Sequence, residues 1–201
     1  MGFPDLLRWR RRGPRAERRF RTPLTRHQLW MVALGAPAAW DAGPSRTTLY
    51  PLARLDDDGV RRRLAEEWGI RGRQDLVARL DGLSRTGDRA RAQRMLGVAP
   101  LAWDAAQYVE ISRRAFAAGL ISEADAWTAL KNIVPSVART YASWHEYGEH
   151  YLLGRGLGRS GLPDLAFPGE DEVRALLDPE NRASPWNVVP WDTIYDPDRP
   201  R

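Results

Sequence analysis

Cysteine is absent from the 201 residues, which excludes disulfides, thiolate metal sites and a cysteine nucleophile together and suits a reducing compartment. Lysine is almost absent as well: Lys131 is the only one among 31 basic residues. With alanine and glycine also abundant, that arginine usage reads as GC-rich coding rather than as selection for guanidinium chemistry. The longest apolar run, Leu29 to Trp40, is broken by Gly35 and Pro37 and falls short of the roughly twenty residues of a membrane span. An export signal would need an apolar stretch behind Arg10-Arg11-Arg12, where the chain continues Gly13-Pro14-Arg15 instead. Leu6 departs from the Ser or Thr of an N-acylation signal. These absences lead to the expectation of a cytoplasmic protein with no transmembrane segment and no cofactor.

What the chain holds in excess is tryptophan, nine residues of it. Indoles this frequent need a packed interior or a purpose-built surface. Trp30, Trp68, Trp103, Trp127 and Trp144 fall on helical patterns and are expected as core anchors. Trp186 and Trp191 sit in the Pro-punctuated segment Ser184-Pro185-Trp186-Asn187-Val188-Val189-Pro190-Trp191 and are expected to clamp that tail onto the helices. Trp9 belongs to an N-terminal arm, and Trp40 to a stretch punctuated by proline and glycine. Charge is equally uneven. Arg8, Arg10, Arg11, Arg12, Arg15, Arg18, Arg19 and Arg21, against Asp5 and Glu17, give residues 1–23 a charge of +6, so the remaining residues sum to −1 of the total +5. The basic character is therefore local to the arm. With Phe3, Leu6, Leu7 and Trp9 the arm suits nucleic acid or an acidic membrane surface, although solvation of a disordered segment accounts for the same residues.

Hydrophobic periodicity is helical, with no sustained strand alternation and no repeat period. Thr25 caps a helix to Leu34. Asp57 or Asp58 opens another to Trp68, in which Val60, Leu64, Ala65 and Trp68 share a face. Asp75 to Leu83, stopped by Gly87, and Asp88 to Leu96 follow. Pro100 introduces Leu101 to Ala118, where Trp103, Tyr108, Val109, Ile111 and Phe116 mark a broad apolar stripe and Gly119 the terminator. Ser122 to Asp125 is a capping box, and Pro135 is expected to kink or break the helix behind it. Ser143-Trp144-His145-Glu146 is a second box, opening a helix through Leu157, with Gly154 to Gly161 as its stop and turn. Glu172 to Leu177 is the last helix, and Ala38 to Leu55 reads as a loop, with an extended Thr47 to Tyr50 as the alternative within it. The expectation is an all-α single domain of about seven to nine helices: a basic flexible arm at 1–23, a helical domain at 24–192 with an irregular Trp/Pro-rich end, and a disordered tail at 193–201.

One cluster resembles an acid/base or metal site: His145, Glu146, Glu149 and His150. Zinc proteases place two histidines four apart; here they are five apart, about 140° around a helix. His145 with Glu149, and Glu146 with His150, also have the spacing of ordinary helix ion pairs. His145, Glu149 and His150 are the metal-ligand candidates, with His27 the remaining histidine. Asp104, with Glu110 and Arg113 on the same helix, suits either a cleft carboxylate or a buried structural ion pair, and the latter is the preferred reading. Ser143 and Ser184 read as a helix cap and a turn. The glycines from Gly154 to Gly161 lack the Lys-Ser/Thr ending of a phosphate loop.

Five separated motifs occur in order: Leu101-Ala102-Trp103-Asp104; Arg113 with Ala118-Gly119 and Ser122 through Trp127; Tyr141-Ala142-Ser143-Trp144-His145-Glu146; Tyr151-Leu152-Leu153-Gly154-Arg155; and Ser184-Pro185-Trp186 with Pro190-Trp191. In these, and in Trp68-Gly69-Ile70 upstream, residues 45–192 resemble a bacterial family known as domain of unknown function 1266. The resemblance implies a helical domain. Trp103, Asp104, Ser143, Trp144, Gly154, Trp186 and Trp191 are its signature residues, and it carries over no reaction, ligand or catalytic residue. The sequence departs from that pattern in its arginine-rich start and in Ala105-Ala106-Gln107 after Asp104.

The functional expectation is a noncatalytic binding or regulatory module whose partner is another protein, with nucleic acid or an acidic membrane surface met through the arm. Two alternatives stand beside it. One is a hydrolase or transferase using His145, Glu146, Glu149, His150 and Asp104 in a helical pocket, and the other is a bacterial effector or immunity-like protein.

Overall fold

The computed structural model describes residues 23–39, 44–50, 57–160 and 169–195. Among them the chain is helical and without strands: α1 Arg26–Ala33, α2 Asp57–Trp68, α3 Arg73–Arg85, α4 Arg89–Leu96, α5 Leu101–Ala117, α6 Glu123–Thr140, α7 Trp144–Ser160, α8 Glu170–Leu177 and the single turn α9 Pro185–Val188. Three 3-10 turns, Ala36–Ala38, Pro44–Thr47 and Trp191–Tyr195, lie between and after them. The all-α reading holds. The arginine arm with Trp9, and also Trp40, lie outside the described residues.

Helix α5 is the axis of the fold, and α2, α3, α6 and α7 all pack on it. Its stripe is wider than its periodicity indicates: Leu101 through Ala115 are buried on every side, including Gln107, Glu110, Ser112, Arg113 and Arg114. Polar groups tolerate such a position only with partners. Arg113 donates to the carbonyls of Thr48 (2.7 Å) and Leu49 (3.2 Å) and pairs with Glu110. Arg114 lies 3.3 Å from Glu110 and reaches the Ala38 carbonyl at 3.4 Å. Burial lowers the Arg114 guanidinium to about 10, with Glu110 pulling the other way, so it is charged at neutral pH. These bonds hold the turns at 36–38 and 44–47 against α5. Thr47 to Tyr50 is consequently not extended; it ends a 3-10 turn and bends, with its carbonyls toward Arg113.

Two sequence signals for helix ends are overridden. Gly154 does not stop α7, which runs to Ser160. A Cβ on Gly148 would lie 2.9 Å from Val173 Cγ1 of α8 and 3.3 Å from the Trp186 ring, and one on Gly154 would collide with Trp103 Cβ. Close helix approach, not chain reversal, is what these glycines serve. Pro135 leaves α6 unbroken from Glu123 to Thr140. The amide it lacks would have bonded the Lys131 carbonyl. Both residues lie on the exposed face, while Ile133 and Val137 hold the other face to the core.

The Ser122 box forms as read. Ser122 Oγ accepts from the Asp125 amide (3.1 Å), and the Asp125 carboxylate accepts from the Ser122 amide and from Arg73 (both 3.1 Å). The Arg73 hydrogen bond first, then those of Ser122, hold the Asp125 carboxyl down at about 2. A folded pKa below the unfolded one gives stability that is complete above the ordinary 3.8 and is lost as pH falls toward 2. Circular dichroism across that window should show the wild type losing stability with acid more steeply than Asp125→Asn.

The tryptophan-rich end folds back as expected but is not irregular. Trp30, Trp144, Trp186 and Trp191 form one buried cluster, with centroids 4.8 Å apart for Trp144 and Trp191 and 5.1 Å for Trp30 and Trp191. Trp144 and Trp186 stack at 5.3 Å. A helix leaves its last carbonyls without intrahelical donors, and aromatic side chains supply them beyond α1. The Trp186 indole donates to Ala33 (2.9 Å), the Tyr147 hydroxyl to Leu34 (2.8 Å) and the Tyr151 hydroxyl to Pro37 (2.9 Å). Trp30 donates to the Trp191 carbonyl (2.9 Å) and Trp144 to that of Val189 (2.8 Å). Burial drives the Tyr147 hydroxyl well above its ordinary value and Tyr151 to about 12, so both remain donors. The expected tail boundary at 193 moves outward, because the last turn runs to Tyr195 and Thr193 is buried. Trp68 and Trp127, read as core anchors, are only half-buried.

Candidate functional site

The histidine and glutamate cluster does not assemble. His145 and Glu149 are exposed and form a helix-neighbour pair at 3.7 Å. Glu146 is a cap: its carboxylate accepts from the Ala142 amide (2.8 Å), and its own amide donates to Ser143 Oγ (3.1 Å). His150 turns the other way, half-buried against Tyr141, with Nδ1 3.4 Å from the Tyr141 hydroxyl. That hydroxyl already accepts from the Ala102 amide at 2.9 Å. The angle of about 140° between the histidines separates them as α-helical geometry requires. Among the described residues no group of three histidines or carboxylates is placed to hold a metal ion.

Asp104 is structural, and its partner is Arg89 rather than Arg113. Its fully buried carboxylate accepts from the amides of Asp88 (2.8 Å) and Arg89 (3.2 Å) at the start of α4 and from Arg89 Nη1 (2.8 Å). Arg89 in turn donates to the carbonyls of Leu83 (2.6 Å) and Ser84 (2.7 Å) at the end of α3. Burial raises the Asp104 pKa, and these donors oppose the rise. Gly87, at φ +54°, has no room for a Cβ because the Asp104 carboxylate occupies that place. One carboxylate thereby fastens α3, α4 and α5 together.

Donor atoms without acceptors are found elsewhere. Residues of α2 and α3 on one side, and of α7, α8 and the turns at 36–38 and 44–47 on the other, enclose a cleft of about 1000 Å³ floored by α5. Trp103 and Gln107, one helical turn apart, form the floor. The first wall presents Glu67, Trp68 and Arg79, with the Arg79 guanidinium 4.8 Å above the Trp68 ring. The second presents Arg46, Tyr151, Arg155 and Glu172. Asp88, at the edge, accepts from the Trp103 indole at 3.1 Å.

Five buried side-chain nitrogens have no hydrogen-bond acceptor among the described residues. Four of them belong to residues that line this cleft: Nε of Arg46, Arg79 and Arg155, and Nε1 of Trp68. An unmet buried donor costs about 1–3 kcal/mol, so their gathering in one place needs an explanation. Desolvation lowers the Arg46 pKa, with Glu172 and Glu110 opposing it. Arg155 is backed by Gly169, where φ is +97° and a Cβ would strike the guanidinium. Arg46 is positioned through Arg113, whose bonds to Thr48 and Leu49 fix the segment behind it. Formal charge in the lining is balanced, three arginines against three carboxylates, but Glu67 and Glu172 are exposed at the rim while the arginines reach inward.

The arginines of the cleft carried no signal in the sequence reading, because they come from separate segments and arginine is common throughout. Arg155 alone stood in a named motif, behind Gly154. Arg79 and Trp68 of the first wall, and Arg46 of the second, lie before residue 90. Comparison with curated proteins and with solved structures finds no match. The family model for proteins of unknown function DUF1266 matches residues 90–191, just over half of the chain, spanning α5 through α9 and the second wall's Tyr151, Arg155 and Glu172. The chain therefore belongs to the DUF1266 family.

Proposed function

We propose that this protein is a noncatalytic binding module and that the α5 cleft takes up a small anionic molecule. The observation that carries this reading is the convergence of four buried, unaccepted donors on one cavity. Arginine edges bind carboxylate and phosphate oxygens through charge-assisted hydrogen bonds, and a turn of a guanidinium about its last torsions brings its shielded Nε edge to a ligand. The volume matches small-molecule pockets, which occupy roughly 300–1,000 Å³. Other polar groups of the cleft are already engaged, Tyr151 as a donor to Pro37 and Asp88 as acceptor from Trp103, which favours retention of a ligand over its transformation.

Calorimetric titration with inorganic phosphate tests the reading. The wild type should bind, and the double variant Arg79→Gln with Arg155→Gln, which removes a guanidinium from each wall, should weaken binding roughly tenfold, about 1.4 kcal/mol. His145→Ala, on the exposed face of α7, should leave it unchanged. Absence of binding, or equal loss in the His145 variant, would refute the assignment.

A further inference from the structure

The placement of the donors says more about the ligand than its charge. Resting on the reading of the cleft as an anion site, we infer that its ligand is an organic diacid, with two phosphoryl or carboxyl groups held at opposite walls. Trp68 Nε1 and Arg79 Nε come from α2 and α3, whereas Arg46 Nε and Arg155 Nε come from the 44–47 turn and α7. Both pairs stand over the same α5 floor. A cavity of about 1000 Å³ is many times the size of one phosphate group. A lone phosphate therefore meets the donors of one wall and leaves those of the other without acceptors. A body carrying an acidic group at each end meets both.

The floor fits the middle of such a molecule. Trp103, its indole N–H turned away to Asp88, offers ring surface, and Gln107 offers an amide that both donates and accepts. Neither carries charge, so the segment between the acidic groups is neutral, apolar or hydroxylated. Each acidic group meets a different set. At the second wall two guanidinium groups stand with Tyr151. At the first, one guanidinium lies over the Trp68 ring, and the indole N–H is the second donor. Exposed Glu67 and Glu172 at the rim repel further negative charge, which limits the ligand to the acidic groups that reach inside.

The test compares single-ended and double-ended probes on the full-length protein by calorimetry. The four probes are fructose 1,6-bisphosphate, fructose 6-phosphate, adipate and hexanoate. The double-ended member of at least one pair should bind more than tenfold tighter than its single-ended counterpart, and the pair that shows it identifies phosphoryl or carboxyl as the acidic group. Arg79→Gln and Arg155→Gln, each verified as folded by circular dichroism, should each remove that advantage, because either wall alone then holds one end. Equal affinity within each pair overturns the diacid assignment while leaving anion binding in place. Failure of all four probes, with inorganic phosphate also silent, overturns both. The comparison on the wild type decides even if a variant fails to fold.

Discussion

Asp104→Ala is expected to lower the unfolding free energy by about 3–5 kcal/mol, the cost of leaving one partner of a buried pair uncompensated. The side chain is fully buried and receives the Asp88 and Arg89 amides together with Arg89 Nη1. Alanine leaves the two amides without an acceptor and Arg89 Nη1 with the Leu83 carbonyl alone, and it opens space beside Gly87. Arg89 is 14% exposed in its side chain, so partial solvation sets the loss toward the lower end of that range. Asp104→Asn should fall between, because its amide oxygen replaces one acceptor while its NH₂ faces donors. Urea unfolding should show a lower midpoint with an unchanged slope. A loss below about 0.5 kcal/mol, the scale of an ordinary surface substitution, would mean that the carboxylate does not join α3, α4 and α5.

Trp144→Ala should cost a similar amount, about 3–5 kcal/mol, from the cavity left by a buried indole. The ring contacts Trp30, Trp186, Trp191 and Tyr147, and its N–H serves the Val189 carbonyl. Trp144→Phe keeps part of the packing and loses the donor, so it should recover a substantial share of the stability without restoring it. Differential scanning calorimetry of the two variants separates packing from hydrogen bonding. Equal melting temperatures for wild type and Trp144→Ala would show that the end of the chain is not held by this residue.

Helix positions were legible because their signals are local. Thr25, Ser122 and Ser143 cap within four residues, and Gly119 ends α5 through a left-handed turn at φ +70°. Periodicity also located the hydrophobic positions of α2 and α3. It did not reveal that α5 is surrounded: Asp104, Glu110 and Arg113 read as a buried ion pair within one helix, whereas the partners at Arg89, Thr48 and Leu49 come from other segments. Gly154 misleads for the same reason: its neighbour, Trp103, is distant in sequence. The histidine and glutamate cluster drew notice because its residues are adjacent, and adjacency is what cap and ion-pair formation also produce. Arg46, Arg79 and Arg155 become a set only through the packing of α2, α3 and α7 on α5.

The aromatic donors that serve α1 bear on the order in which the chain acquires structure. Ala33 waits for Trp186, and Trp30 for Trp191, sequence separations of 153 and 161 residues. During synthesis α1 emerges before α7 and α9, whose Tyr147 and Trp186 occupy the carbonyls at its end. Contacts of such range close late, because loop entropy must be overcome before they form. The nascent chain thus carries an unfinished α1 until Trp186 and Trp191 leave the ribosome, and the interval is one in which Trp30, Met31 and Val32 lack their cover.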